Sequence, residues 1–162
     1  MSLEKVKNFF DKYSMKDRVI ELDESSATVA LAAHALGCEE ARIAKTISLH
    51  LGDKVILVVC AGDAKIDNAK YKYRFSTKAK MLSFDEVEPL VGHAVGGVCP
   101  FAVNDGVSVY LDESLKRFET VFPACGSANS AIELTIPELE KYSSCTDWVD
   151  VCKLHESSPV SQ

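Results

Sequence analysis

Three stretches of the chain hold residues whose types and spacing could do chemistry. Lys45 stands in Ile43-Ala-Lys-Thr-Ile-Ser-Leu49, where a period of two puts Ile43, Lys45, Ile47 and Leu49 on one face and Ala44, Thr46 and Ser48 on the other. A lysine in an aliphatic row either snorkels out over the strand end, its stem covering apolar surface, or waits at a pocket wall for an anion or a carbonyl oxygen. Thr46 joins the same site only at a twist or a strand end. The second stretch is Gly92-His-Ala-Val-Gly-Gly-Val-Cys-Pro-Phe101. Its glycines let backbone N–H and C=O groups approach a ligand closely, or else mark a bulge at a sheet corner. The third is Cys125-Gly-Ser-Ala-Asn-Ser130. Cys99 and Cys125 both lie in glycine-containing loops, and either thiol is a candidate nucleophile if a base stands beside it. Of the histidines at 34, 50, 93 and 155, only His93 belongs to such a loop.

Composition limits what those residues can belong to. The 162 residues are 47% hydrophobic and 26% charged, the balance of one globular domain, expected over 1–155, with a tail over 156–162 that has nothing to bury and should fray. No apolar run reaches the roughly 18 residues of a membrane span. The charged start, Met1-Ser-Leu-Glu-Lys5, lacks the apolar core of a secretory signal, so the expected location is the cytoplasm, away from any membrane. The six cysteines, at 38, 60, 99, 125, 145 and 152, include no C-x-x-C pair, and there is no H-E-x-x-H. Neither a metal site nor a redox dithiol is encoded locally, and no cofactor is expected. Reduced thiols, several of them buried, suit a chain whose apolar content needs no disulfide staples. The glycine motifs that cradle nucleotide phosphates are absent.

The net charge of −6 argues against a nucleic-acid partner, but it averages two unlike halves, +3 over residues 1–80 and −9 over 81–162. Lys65, Lys70, Lys72, Arg74, Lys78 and Lys80 crowd one segment against a single acid, Asp67, with Tyr71, Tyr73 and Phe75 between them. Such a segment either meets RNA, its cations releasing counterions and its aromatics stacking on bases, or is a solvated helix face with its tyrosines packed inward.

The elements that must position these residues are short. Leu3, Val6, Phe10 and Tyr13 recur at helical spacing. Arg18–Leu22 predicts a strand, and Ser25 or Ser26 a cap for a helix that runs to Leu36 and stops at Gly37. Ile43–Leu49 and Lys54–Cys60 flank Gly52-Asp53 as a hairpin. Asp67–Phe75 predicts a helix, and Ser83-Phe-Asp-Glu86 a capping box for another that Gly92 ends. Asn104-Asp105-Gly106 before Val107–Leu111 predicts a second hairpin. Thr120–Ala124 and Ala131–Leu134 flank the loop of the third stretch, and Thr135-Ile-Pro-Glu138 opens a helix through Tyr142. Strands in hairpins interrupted by helices make the fold class α+β, with a mixed, strongly curved sheet.

In this order, Ala44-Lys-Thr-Ile47, Ala61-Gly-Asp-Ala-Lys-Ile-Asp67, Val95-Gly-Gly-Val-Cys-Pro-Phe101, Val109-Tyr-Leu-Asp112 and Ile132-Glu-Leu134 before Pro137-Glu-Leu139 resemble the YbaK/EbsC family. Its members are free-standing aminoacyl-tRNA deacylases related to the editing insertion of bacterial prolyl-tRNA synthetases. The resemblance runs from about the Ser25 helix to the Tyr142 helix. It implies a barrel-like β-sheet surrounded by helices. It also implies that Lys45, with Thr46 beside it, is the essential lysine that engages the 3′ end of the charged tRNA. Gly96, Gly97, Val98, Cys99, Pro100 and Phe101 match the loop that shapes the aminoacyl pocket, with Gly126 and Ser127 in the facing loop, while Lys65, Lys70, Lys72 and Arg74 are the candidate tRNA contacts.

The implied function is trans-editing: hydrolysis of the ester of a mischarged tRNA, with tRNA(Pro) bearing Cys, Ala or Ser as the expected substrate. Aminoacyl-tRNA and prolyl-tRNA synthetase are the expected partners, and DNA is not. Such enzymes need neither a metal nor a Ser or Cys nucleophile. The family's cysteinyl-type members carry a Gly-Lys-Arg-Gly loop and then an aspartate, where this chain has Gly126-Ser-Ala-Asn129 and Ala131. Thr46, by contrast, is the cysteinyl-type choice beside the lysine. The rival readings are a non-catalytic tRNA- or synthetase-binding module of the same fold and a Cys-dependent hydrolase of small esters.

Overall fold

The computed structural model describes residues 2–155, so the tail expected over 156–162 lies outside the described residues. Five helices surround a curled, mixed sheet. They are α1 (Ser2–Asp11), α2 (Val29–Leu36), α3 (Asn68–Phe75), α4 (Phe84–Val91) and α5 (Ile136–Ser143). The strands are β1 (Val19–Glu21), β2 (Ile43–Leu51), β3 (Lys54–Ala61), β4 (Ala64–Ile66), β5 (Lys80–Met81), β6 (Ser108–Asp112), β7 (Thr120–Pro123), β8 (Ser130–Ile132), β9 (Leu134–Thr135), β10 (Asp147–Val149) and β11 (Cys152–Leu154). The main sheet runs β10-β6-β3-β2-β7-β9, with β5 also on β2; β1-β8 and β11-β4 form two small pairs. No helix among the described residues is long and apolar enough to cross a membrane.

The β2–β3 hairpin forms as the sequence predicts, turning at Gly52 with φ +64° and pairing without a bulge from Ala44↔Ala61 to Leu51↔Lys54. β3 is buried on both faces, which is why it is a nearly unbroken apolar run, Val55–Ala61, buried from Ile56 onward. The expected second hairpin does not form. Residues 93–107 stay irregular, with Ala102 at φ +52°, and β6 instead lies parallel to β3 and to β10. Pro100 lacks a ladder donor, and Gly96 and Gly97 have no side chains to pack, so the segment cannot form the antiparallel partner. Ala131–Leu134, expected as one strand, splits: β8 pairs with β1 and β9 with β7. The predicted cap of α2 is also displaced. Thr28 takes the position, its Oγ1 accepting from Leu31 N, while Ser25 Oγ accepts from Ala27 N in the preceding turn.

The core is one large cluster built from β2, β3, β6, α1 and α4, with Val6, Phe10, Phe101 and Leu111 fully buried. A satellite cluster of Ala32, Ala33, Ile43 and Phe122 seats α2 on β2 and β7. Asp112, almost fully buried, accepts from Val151 N and Ser114 N and so fixes the chain on both sides of β6.

The α5 capping box yields a stability prediction. Glu138 accepts from Thr135 N and pairs with both guanidinium nitrogens of Arg18, and these contacts, Arg18 first, hold its carboxyl at about 2 against the ordinary 4.5. A depressed carboxyl contributes stability that is full above about pH 4.5 and is lost as pH falls toward 2. Glu138→Gln is therefore expected to lower stability near neutrality by about 1 kcal/mol, a magnitude limited by solvent screening of the half-exposed pair. The difference from wild type should vanish near pH 2, as read from urea midpoints across that range.

Candidate functional site

β2 is paired with β3 along almost its whole length, but its other edge is shared by two strands. β7 lies parallel to it at Ile43 and Ala44 only, and β5 pairs at Leu49 and His50. Between them the edge splays open, and β7 ends at Pro123, which has no N–H to continue the ladder. Lys45 and Thr46 sit at that opening. Both line the same cavity although they are adjacent residues inside β2, laddered to Cys60 and Val59 of β3.

A cavity of about 280 Å³ occupies the opening. One wall is the β1–α2 connection and α2 itself, from Ser26 to Leu36. The floor is Ile43–Thr46 with Phe122 and Ala124, and the far side is Ser130, Ala131, Gly96 and Val98. The connection is held down by Ser26 N to the Ala128 carbonyl at 2.6 Å and Leu22 N to the Asn129 carbonyl at 2.7 Å. Lys45 is half-buried and makes no ion pair among the described residues. Ser26 Oγ and Thr46 Oγ1 are buried without a hydrogen-bond partner among the described residues, a state that favours a donor or acceptor supplied by a ligand.

Of the expected pocket loop, Gly96 and Val98 line the cavity, whereas Gly97, Cys99, Pro100, Phe101, Gly126 and Ser127 do not. They form the support behind the wall. A Cβ on Gly97 would lie 2.4 Å from Ser127 N, so the two loops touch backbone to backbone there. A Cβ on Gly126, whose φ is +92°, would lie 2.7 Å from the Ser2 carbonyl oxygen of α1. Phe101 is stacked on Phe9 and edge-on to Phe10 of α1, and its carbonyl accepts from His93 Nε2 at 2.6 Å.

That last bond decides the cysteine reading. His93 is fully buried and Cys99 Sγ lies 3.6 Å from the same Nε2, which resembles a nucleophile–base pair. A carbonyl can only accept, so Nε2 carries the proton and is no base toward the thiol. Burial lowers the His93 pKa, raises that of Cys99 to about 12, and raises Cys125 as well. Neither thiol reaches the cavity. Cys99→Ala and Cys125→Ala are expected to leave kcat within about threefold of wild type in a deacylation assay, with any effect appearing in thermal stability instead.

The basic segment is divided. Tyr71 is buried and Tyr73 almost fully exposed. Lys70 pairs with Asp150, and Arg74 pairs with Asp147 while lying over Phe75 and Tyr110. Lys65 and Lys72 are exposed and carry no ion pair among the described residues. The lining residues that the sequence reading missed include Ser26–Val29, Ala32 and Leu36 of α2, Ile43 and Ala44 of β2, and Phe122, Ala124 and Ser130. Only the run of small residues Ser25-Ser-Ala-Thr28 hinted that this connection approaches something closely.

Comparison with known proteins identifies relatives of the chain and of its fold. Residues 23–142 match the model of the aminoacyl-tRNA editing domain. The chain is 54% identical over 154 residues to the uncharacterized protein YwhH of Bacillus subtilis, covering 94% of this chain and 98% of that one. It is 24% identical over 133 residues to the proline–tRNA ligase of Halalkalibacterium halodurans, covering 82% of this chain but 23% of the ligase. Among solved structures, a candidate trans-editing enzyme for prolyl tRNA synthetase superposes with a TM-score of 0.83 at 26% identity, over 94% of this chain and 97% of that one. The hypothetical protein APE2540 superposes with a TM-score of 0.76 at 26% identity, over 88% and 99%. A family match across three-quarters of its length and a relative sharing over half its residues together make this chain a member of the aminoacyl-tRNA editing domain family.

Proposed function

We propose that this chain is a trans-editing deacylase that hydrolyses the ester between a small amino acid and the 3′-terminal ribose of a mischarged tRNA, with tRNA(Pro) carrying Cys, Ala or Ser as substrate. The observation that carries the reading is Lys45, which makes no ion pair among the described residues and lines a cavity whose other lining residues are uncharged, between the pairings of β7 and β5 on β2. The aminoacyl group enters between α2 and Ala131, and its carbonyl lies against Lys45 and the backbone of Gly96–Val98. Water adds to that carbonyl, the bond from carbon to the ribose 3′ oxygen breaks, and the ribose oxygen leaves with a proton. Lys45 stabilises the oxyanion that forms, while the enclosing walls hold the ester in line with the water. Gly97, Cys99, Pro100, Phe101, Gly126 and Ser127 act by holding the Gly96–Val98 wall in place. Thr46 serves the same cavity from β2, and Lys65 and Lys72, with Lys70 and Arg74 if their acidic partners yield, steer the tRNA body. The reaction belongs in the cytoplasm, beside prolyl-tRNA synthetase.

The test is a panel of Cys-, Ala- and Ser-tRNA(Pro), with the cognate Pro-tRNA(Pro) as control, incubated with enzyme and followed by release of the amino acid. Cleavage of at least one mischarged species with the cognate spared is the expected result. Binding of charged tRNA without any cleavage selects the non-catalytic module, a reading favoured by one observation: among the described residues no carboxylate or histidine lines the cavity to act as a base.

A further inference from the structure

We infer that the cavity takes its aminoacyl ester with the α-amine as the uncharged free base, so that esters with no amine at all, the 2-hydroxyacyl esters of the same tRNA terminus, are substrates too. The inference rests on the deacylase reading and concerns what that same site recognises. The α-nitrogen is two bonds from the reacting carbonyl carbon, so whatever surrounds the ester also surrounds the amine.

A buried ammonium is tolerable only where a carboxylate or a set of inward-facing acceptors balances it. Among the described residues the lining holds no carboxylate, and its side-chain acceptors are neutral hydroxyls beside a lysine. From β2 the charged neighbour is Lys45 itself. From α2 come Val29, Ala32 and Leu36, and the helix presents its N-terminal end, which carries partial positive charge. His34 of α2 is turned outward, near Glu24 at the surface, with the two side chains 80% and 58% exposed. From β7 comes Phe122, with the Arg42 guanidinium 5.0 Å from the ring and held by Glu133. From β8 come Ser130 and Ala131, and from the irregular segment Gly96 and Val98, while His93, Cys99 and Cys125 are buried outside the lining. The charge that faces the cavity is therefore positive and its walls are mostly apolar. Both conditions disfavour a second cation and favour the neutral amine.

The remaining polar capacity is neutral as well. It includes the hydroxyls of Ser26, Thr28, Thr46 and Ser130, of which Ser26 and Thr46 have no partner among the described residues. A hydroxyl donates to or accepts from a neutral amine and an alcohol alike. A 2-hydroxyl group thus meets the same contacts as the free-base amine, and nothing in the lining distinguishes the two by charge.

The experiment compares isosteric pairs on one tRNA(Pro): alanyl with lactyl, seryl with glyceryl, and cysteinyl with 3-mercaptolactyl. For each pair, kcat/KM is measured with wild-type enzyme from about pH 6 to about pH 9, a range that brackets the ordinary α-amine value of about 7.7–8.0. Dividing the aminoacyl by the hydroxyacyl value cancels the dependence on hydroxide and on the enzyme's own groups, which the two esters share. The expected result is a hydroxyacyl ester cleaved within about tenfold of its partner at high pH. The ratio should then fall about tenfold per pH unit below the amine's titration, as the free base is lost. A ratio that is flat or rises toward low pH overturns the inference, because the ammonium is then what binds. So does cleavage of an aminoacyl ester whose hydroxyacyl isostere is inert. Failure to cleave any of the six esters overturns the deacylase reading instead, which separates the two failures.

Discussion

Replacing Lys45 with alanine is expected to lower kcat/KM for deacylation by two to three orders of magnitude, roughly 10²–10³-fold, while leaving the fold intact. The magnitude is that of removing one preorganised charge or donor from a water-poor site where an oxyanion develops. The fold survives because Lys45 is half-buried on β2 and holds no ion pair among the described residues, so its removal strands no partner. A change of about 0.5 kcal/mol or less, or roughly 2 °C in the melting midpoint, is the expected stability cost. Lys45→Met separates charge from packing, since it keeps most of the apolar stem. If the ammonium is what matters, Met and Ala lose activity equally; if the stem merely shapes the cavity, Met restores most of it. The split between kinetic constants is also informative. A lower kcat at unchanged KM places Lys45 on the transition-state oxyanion, whereas a raised KM at unchanged kcat places it on the tRNA terminus in the ground state. Activity within threefold of wild type for both variants would remove the central residue from the mechanism.

Lys45 also illustrates how much of the site could be read in advance. Its alternating row and the hairpin turn at Gly52 fix β2, its register and its partner β3 from local pattern alone. What opens the cavity is not local. The opening beside β2 depends on β7 joining from 79 residues further along the chain and leaving at Pro123, and on β5 joining the same edge further along the strand. No periodicity in Ile43–Leu51 carries that information. Likewise Thr28 displaces Ser25 and Ser26 as cap because the connection is tied to Ala128 and Asn129, contacts over a hundred residues away in sequence. The short strands β4, β10 and β11 have three residues each, too few for alternation to register, and they exist because each finds a neighbour to pair with. The glycine pair at 96–97 was legible as a place of close approach. Which glycine faces the ligand space and which faces protein needed coordinates.

That difference between the two glycines sets the second large effect. Gly97→Ala is expected to damage both stability and activity, although Gly97 itself does not line the cavity. Its φ is not in the left-handed region, so the objection to a side chain is space alone. The new Cβ would fall 2.4 Å from Ser127 N and 2.6 Å from both Gly126 C and Ser127 Cα. These are backbone atoms that cannot rotate away. The 126–127 loop cannot retreat either, because Gly126 already abuts the Ser2 carbonyl of α1. The strain is relieved in the one open direction, by pushing Gly96 and Val98 into the cavity they line. The expected cost is about 1–3 kcal/mol, as for other overpacked interiors, or a drop of roughly 3–10 °C in the melting midpoint. An activity loss of about tenfold or more should persist at temperatures where the variant is fully folded, because a displacement of an ångström in a positioning wall is enough to misalign the ester. Gly106→Ala is the matched control. Nothing lies within 4 Å of its Cβ position, but its φ of +88° makes alanine strained there. It should lose about 1 kcal/mol of stability through backbone strain and no activity. If Gly97→Ala behaves like that control, melting earlier but turning over normally, the contact between the two loops does not set the shape of the cavity.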